Sequence, residues 1–261
     1  MTGNGKARLW GELTAAELGE AAERGDVVIL PVGAVEQHGP HLPTDVDIRG
    51  AIETAEAAAA QRDYMIVAPP VWWGLSGAHK GFPGLLTVRV ETFLALLEDL
   101  CDSMVDDGFR KIVLCVGHGS NKPPVQMFVG QYQQRTGVSI LQLNYLNLGA
   151  PKFQEIRTSG LGGDFHAGEA ETALILHLAP HLVKMDLAPT LYVNPKEHFG
   201  LSAGTPDIFK AGEAIVGFDL KANFPQGVMG DATVATAETG AAMFEQIVEK
   251  FCAIVDEYHE L

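Results

Sequence analysis

A chain of 261 residues with 47% hydrophobic content can bury one large α/β core and is too apolar to stay disordered. A formal net charge of −15 argues against nucleic-acid or anionic-membrane partners, which need clustered Lys and Arg, and leaves a divalent cation open. The opening "MTGNGKARLW" has no signal-like apolar core, no apolar run is bilayer-long, and Cys101, Cys115 and Cys252 lack C-x-x-C spacing, so a cytoplasmic protein with reduced thiols is expected.

The predicted elements alternate. A first helix, "LTAAELGEAAERG" (13–25), closes on Gly25. The apolar strand "DVVILPVG" (26–33) leads into the Ala-rich helix "DIRGAIETAEAAAAQRD" (47–63). Strand "YMIVAPP" (64–70) is followed by the amphipathic helix "ETFLALLEDLCDSMVDDG" (91–108). Strand "RKIVLCVG" (110–117) precedes "PPVQMFVGQYQQRTG" (123–137), a helix opening on prolines. Strand "VSILQLNYL" (138–146), helix "GEAETALILHLAP" (168–180) and a long last helix over 232–261 complete the pattern. Apolar strands separated by helices predict a mostly parallel central sheet in a three-layer α/β/α fold. Without repeats or linkers, residues 1–261 read as one domain. Residues 184–231 are Gly- and Pro-rich and are expected to form long loops.

Ligands of parallel sheets sit at the carboxyl ends of strands. The stretch "GAVEQHGPHLPTDVDI" follows the first apolar strand and holds one Glu, two His and two Asp. Residues two apart on an extended chain face the same side, so Glu36 and His38 can address one ion. Asp45 and Asp47 open the next helix, where an N-cap or first-turn charge is the plain alternative to a ligand. His41 is expected to be a turn residue bonded to backbone. In "VGHGSN", His118 stands between glycines that permit close approach, and Asn121 either orients a ligand or caps a helix.

In "DFHAGEAETALILHLAP", Glu171 shares a helical face with Leu174, Ile175 and Leu178. Glu169 lies about 200° away at ~100° per residue, and is expected to be a solvated first-turn residue. A carboxylate on an apolar stripe needs pairing or a metal, which favours Glu171 as a ligand. His166 precedes this helix and is the candidate acid/base. Two imidazoles and three carboxylates (Glu36, His38, Asp47, His118 and Glu171) suit two divalent ions of Zn, Mn or Fe sharing a bridging carboxylate. "WWGLSGAHKGFPG" offers Trp73, His79 and Lys80 as substrate contacts, with Ser120 from the glycine-flanked loop; packing or a subunit interface is an equal use for Trp72 and Trp73.

Together "LPVGAVEQHGPHLPTDVDI", "HKGFPG", "VGHGSN" and "HAGEAET" resemble the successive motifs of the creatininase (creatinine amidohydrolase) family, in order. The resemblance implies an α/β/α fold and a dinuclear centre held by Glu36, His38, Asp47 and His118. It implies Asp47 as the bridge, since the eleven-residue step from Glu36 selects it over Asp45. It also implies a homo-oligomer, with a hexamer as the assembly. Creatininase has a glutamate ligand where this chain has Ser120, a place Glu171 can fill. It also uses tryptophans before the late histidine, and residues 149–165 contain none, which weakens creatinine as the substrate. The expected function is metal-dependent hydrolysis of a small cyclic amide or related C–N bond, with a hydroxide between two metals and His166 protonating the leaving nitrogen. Alternatives are ring opening or isomerisation of a sugar-like or carbocyclic ketone, formamide deformylation, and, less favoured, a non-catalytic metal-binding role.

Overall fold

The computed structural model describes residues 5–210 and 212–261; Met1–Asn4 of the opening stretch, and Ala211, lie outside it. In the first half, β1 (Arg8–Leu9), α1 (Ala15–Arg24), β2 (Val27–Val32), α2 (Val46–Ala59), β3 (Met65–Val67) and α3 (Val90–Asp106) follow one another. Then come β4 (Lys111–Val116), α4 (Lys122–Thr136), β5 (Ile140–Asn144), α5 (Tyr145–Leu148) and α6 (Ala150–Ile156). The last part holds β6 (Asp164–His166), α7 (Glu169–Leu178), β7 (Thr190–Leu191), α8 (Pro195–Phe199), α9 (Leu220–Asn223), β8 (Met229–Asp231) and α10 (Ala237–Glu260).

The central sheet runs β1-β3-β2-β4-β5 with every pair parallel. Its strands are buried on both faces. Val27 and Ile29 of β2 pack with Ala51, Leu174, Met243 and Phe251, from α2, α7 and α10. Val28, Leu30 and Val32 pack on the other side with Phe93, Leu97, Val125 and Tyr132, from α3 and α4. This alternation gives the three-layer α/β/α fold, and explains why the strands read as continuous apolar runs. The chain goes from β2 outward to β3, then crosses to β4 on the other side of β2. The strand order therefore reverses between β2 and β4, and the crevice at their carboxyl ends is the place for a ligand.

Three boundaries depart from the sequence reading. The chain turns helical at Tyr145 instead of continuing the strand to Leu146. The last helix starts at Ala237, because Thr236 caps it by accepting from the Thr239 N–H and residues 232–234 form a separate 3-10 turn. Residues 184–231 are not loop alone. They supply β7, β8, α8 and α9, and β7 and β8 join β6 in a small antiparallel sheet ordered β6-β8-β7. Among the described residues no helix is long and apolar enough to cross a membrane.

Candidate metal centre

Two glycines bring the site together. A Cβ on Gly33, just past β2, would lie 2.4 Å from the Ile48 Cα, and one on Gly117, just past β4, 2.0 Å from the Asp47 carbonyl oxygen. With neither Cβ present, the first turn of α2 wedges between the ends of β2 and β4, placing Asp47 beside residues from both loops.

Glu36, His38, Asp47, His118 and Glu171 are all buried. Asp47 lies centrally, with Oδ1 3.5 Å from His38 Nε2 and Oδ2 2.9 Å from His118 Nδ1. Glu36 Oε2 is 3.3 Å from His118 Nε2, and Glu171 Oε1 is 4.0 Å from His38 Nε2. His79 and His166 face the other Glu36 oxygen, Oε1, at 3.0 Å (Nε2) and 3.9 Å (Nδ1). Ligand-type atoms group within 4.8 Å of one another in three sets: Glu36, Asp47 and His118; His38, His166 and Glu171; and Glu36, His79 and His166.

The donor atoms fit an ion better than they fit each other. Glu36 Oε2, His38 Nε2 and Asp47 Oδ2 are buried and have no aligned hydrogen-bond partner, despite their short separations. Buried polar atoms are rarely left so, and a cation among them would satisfy all three. The opposite ring nitrogen of His38, Nδ1, lies 3.2 Å from the Glu36 carbonyl oxygen, to which it donates, turning Nε2 to the centre. Glu171 is held by the Ala167 N–H, which donates to Oε2 at 2.6 Å. Ala167 takes φ 52°, the left-handed region costly for a residue with a Cβ, so the turn between His166 and Glu171 stores strain that fixes both.

Electrostatics point the same way. Burial disfavours charge on His38, but the carboxylates of Asp47 and Glu171 prevail and raise it to about 10. His118, opposed by burial, is raised to about 9 by Glu36 and Asp47. Asp47 is held well below the carboxylate range, since His118 and His38 outweigh its burial. Burial lifts Glu36 to about 7 and raises Glu171. Without an ion, two imidazolium protons thus balance the carboxylates. Ligating imidazoles must be neutral, so loading zinc at pH 7 should release about two protons. Affinity should climb with pH until about 10, where His38, the later of the two imidazoles, loses its proton unaided. Calorimetric titration with zinc in buffers of different ionisation enthalpy counts these protons; a count of zero would contradict this picture.

The centre opens on a cleft of about 290 Å³ lined by Glu36, Asp47, His79, His118, His166 and Glu171. Ala78, Gly119 and Ser120 also line it, together with an apolar wall of Phe165, Ile208, Phe218, Leu220 and Met229. Trp73 and Lys80 do not line it. Val71 and Gly74 are anchored against β2 and Asn121, so Trp72 and Trp73 between them turn outward, 39% and 48% exposed. Asn121 ties these loops, accepting from the Leu75 N–H at 3.0 Å and donating to the Gly33 carbonyl at 2.9 Å. It makes no side-chain cap. Asp45 is the N-cap residue of α2 without a cap bond, and pairs with Arg49 instead. His41 bonds a side chain and not backbone: its Nε2 is 2.8 Å from Thr172 Oγ1.

Glu169 corrects the sequence reading. It is fully buried, and its carboxylate accepts from the backbone N–H groups of Thr158 (2.9 Å) and Ser159 (2.7 Å). The first two turns of α7 are buried all round, so this helix has no solvated face. The uncharged run "TALIL" after Glu171 was the available signal. Gln37 was also missed. Its amide meets His79 and His166, the same two rings whose other nitrogens face Glu36 Oε1.

The comparisons with known proteins follow this geometry. The Creatininase family model, described as creatinine amidohydrolase, matches residues 11–255. The chain is 31% identical over 234 residues to the mycofactocin precursor peptide peptidase of Mycolicibacterium smegmatis, covering 85% of this chain and 81% of the relative. It is 29% identical to the 3-dehydro-scyllo-inosose hydrolase of Thermotoga maritima, covering 95% of this chain and 82% of the relative. The crystal structure of a creatinine amidohydrolase (creatininase) superposes with a TM-score of 0.81 at 24% identity, covering 97% of this chain and 98% of that one. With the family model spanning nearly the whole sequence, the chain belongs to the creatininase family of hydrolases.

Proposed function

We propose that the protein is a metal-dependent hydrolase that cleaves a C–N bond of a small amide carrying an apolar group. The observation that carries this reading is the buried, unpartnered set of Glu36 and Asp47 atoms lining an open cleft, with the unpartnered His38 Nε2 beside Asp47. Glu36, Asp47 and His118 would hold one divalent ion and His38, Asp47 and Glu171 a second, a nitrogen and oxygen set suited to Zn, Mn or Fe. Bound there, such ions polarise a carbonyl and lower the pKa of water toward neutrality.

The remaining work falls to the chain's own residues. His166 lies with one ring nitrogen against the Gln37 carbonyl at 2.9 Å, which leaves Nδ1 facing the centre as a bare acceptor. Burial and the charge on His38 hold its pKa well below the usual value. The bare Nδ1 is the atom placed to take a proton from the attacking water and pass it to the departing nitrogen. The apolar wall excludes water and seats the substrate's side group. A similar hydrolase acts on a sugar-like ketone. The wall of Phe165, Ile208, Phe218, Leu220 and Met229 offers a polyol no side-chain hydrogen bond, which favours the amide.

A panel of N-acyl amino acids, short peptides, creatinine and a polyhydroxylated cyclic ketone tests this. The expected result is chelator-sensitive release of amine from amides with an apolar flank; turnover of the ketone alone would overturn it. His166→Gln should lower kcat by about 10²–10⁴-fold with metal content unchanged. Loss of an ion from that variant would make His166 a ligand instead.

A further inference from the structure

We infer that Gln37 fixes His79 and His166 in the same Nε2-protonated tautomer but in opposite orientations, so that His79 acts as a hydrogen-bond donor to the Glu36 carboxylate and not as a metal ligand. Distances alone do not separate these roles, because the His79 Nε2 belongs to a ligand-type group with Glu36 and His166. The hydrogen-bond network does.

The Gly39 N–H donates to Gln37 Oε1 at 2.8 Å. A backbone N–H can only donate, so that atom is the amide oxygen and the other is the NH2 group. One hydrogen of that group goes to the Gly227 carbonyl at 3.1 Å, which can only accept. Two ring nitrogens compete for the other: His79 Nδ1 at 3.0 Å and His166 Nε2 at 3.1 Å. His166 Nε2 is also 2.9 Å from the Gln37 backbone carbonyl, and must carry a hydrogen to satisfy it. It has no lone pair left for the amide, so the second amide hydrogen goes to His79 Nδ1. A neutral imidazole with a bare Nδ1 carries its proton on Nε2, the nitrogen that lies 3.0 Å from Glu36 Oε1.

One residue thereby sets two imidazoles in opposite senses. His79 presents a donor and His166 an acceptor to the same end of Glu36. With Oε1 engaged, Glu36 offers Oε2, the buried oxygen without a partner, toward Asp47 and His118. Gly227 makes room for the device: a Cβ there would lie 1.9 Å from Gln37 Oε1. His79 and Gln37 are positioning residues, acting on the centre through Glu36. The inference uses the metal-dependent reading only to name Glu36 as ion-facing.

The test is long-range ¹H–¹⁵N correlation on zinc-loaded protein with ¹⁵N-labelled histidine, the His79 signals being those lost in His79→Gln. Wild type should show His79 protonated on Nε2, with a bare, uncoordinated Nδ1. In Gln37→Glu the facing group can only accept, so Nδ1 should gain a proton. His79→Gln keeps a donor near the same place and should retain two zinc ions per chain, which a lost ligand would not. A zinc-coordinated Nε2 in wild type, one zinc in His79→Gln, or an Nδ1 still bare in folded Gln37→Glu would each overturn the inference. If wild type takes up no zinc, the metal-dependent reading fails, and the tautomer is still decided by the same spectra.

Discussion

Asp47→Asn is expected to lose both metal ions. Asp47 is the one carboxylate with an oxygen toward each imidazole, 3.5 Å from His38 Nε2 and 2.9 Å from His118 Nδ1. Asparagine keeps the volume and removes the negative charge that two cations would share. The fall in affinity should exceed the roughly 10–100-fold that follows loss of an outer partner. Metal analysis after dialysis should give about two ions for wild type and close to none for the variant. An Asp47→Asn protein with its full complement would rule out the shared carboxylate.

The second large effect separates two glutamates that are two residues apart on α7. Glu171→Gln removes an anion grouped with His38 and His166, and should strip one ion while the fold persists. Glu169→Gln should do the reverse. The buried Glu169 carboxylate accepts from the backbone of residues 158 and 159, and glutamine would set an NH2 group against one of those donors. The expected cost is about 1.5–3 kcal/mol of stability with both ions retained. Chemical denaturation and metal analysis of the two variants provide the check. Metal loss from Glu169→Gln with none from Glu171→Gln would mean that α7 is rotated from the orientation described here.

These residues also show where sequence reasoning reaches and where it stops. The parallel sheet was legible because β2 and β4 are continuous apolar runs, and such runs are buried on both faces. Glu36, His38, Asp47 and His118 were legible as candidates because they follow strand ends, where an open sheet places its ligands. Glu171 was legible from the phase of Leu174 and Ile175. The burial of Glu169 was not, since periodicity separates two faces of a helix but cannot tell that α10, α2 and the loop at 157–159 enclose both. The antiparallel sheet escaped because its strands are two or three residues long, and Asp164 finds its partner Gly230 across more than sixty positions. His79 and Gln37 carry no pattern that marks a hydrogen-bonded pair. Their relation exists only once the loop at 76–82 folds over the end of β2.

Two ions sharing Asp47 are central to the proposed chemistry. Anomalous diffraction from crystals of the native protein, collected at the absorption edges of zinc, iron and manganese, tests that directly. Two peaks are predicted, one among Glu36, Asp47 and His118 and the other among His38, Asp47 and Glu171, with none coordinated by His79 Nε2. A single peak, or peaks remote from Asp47, would contradict it.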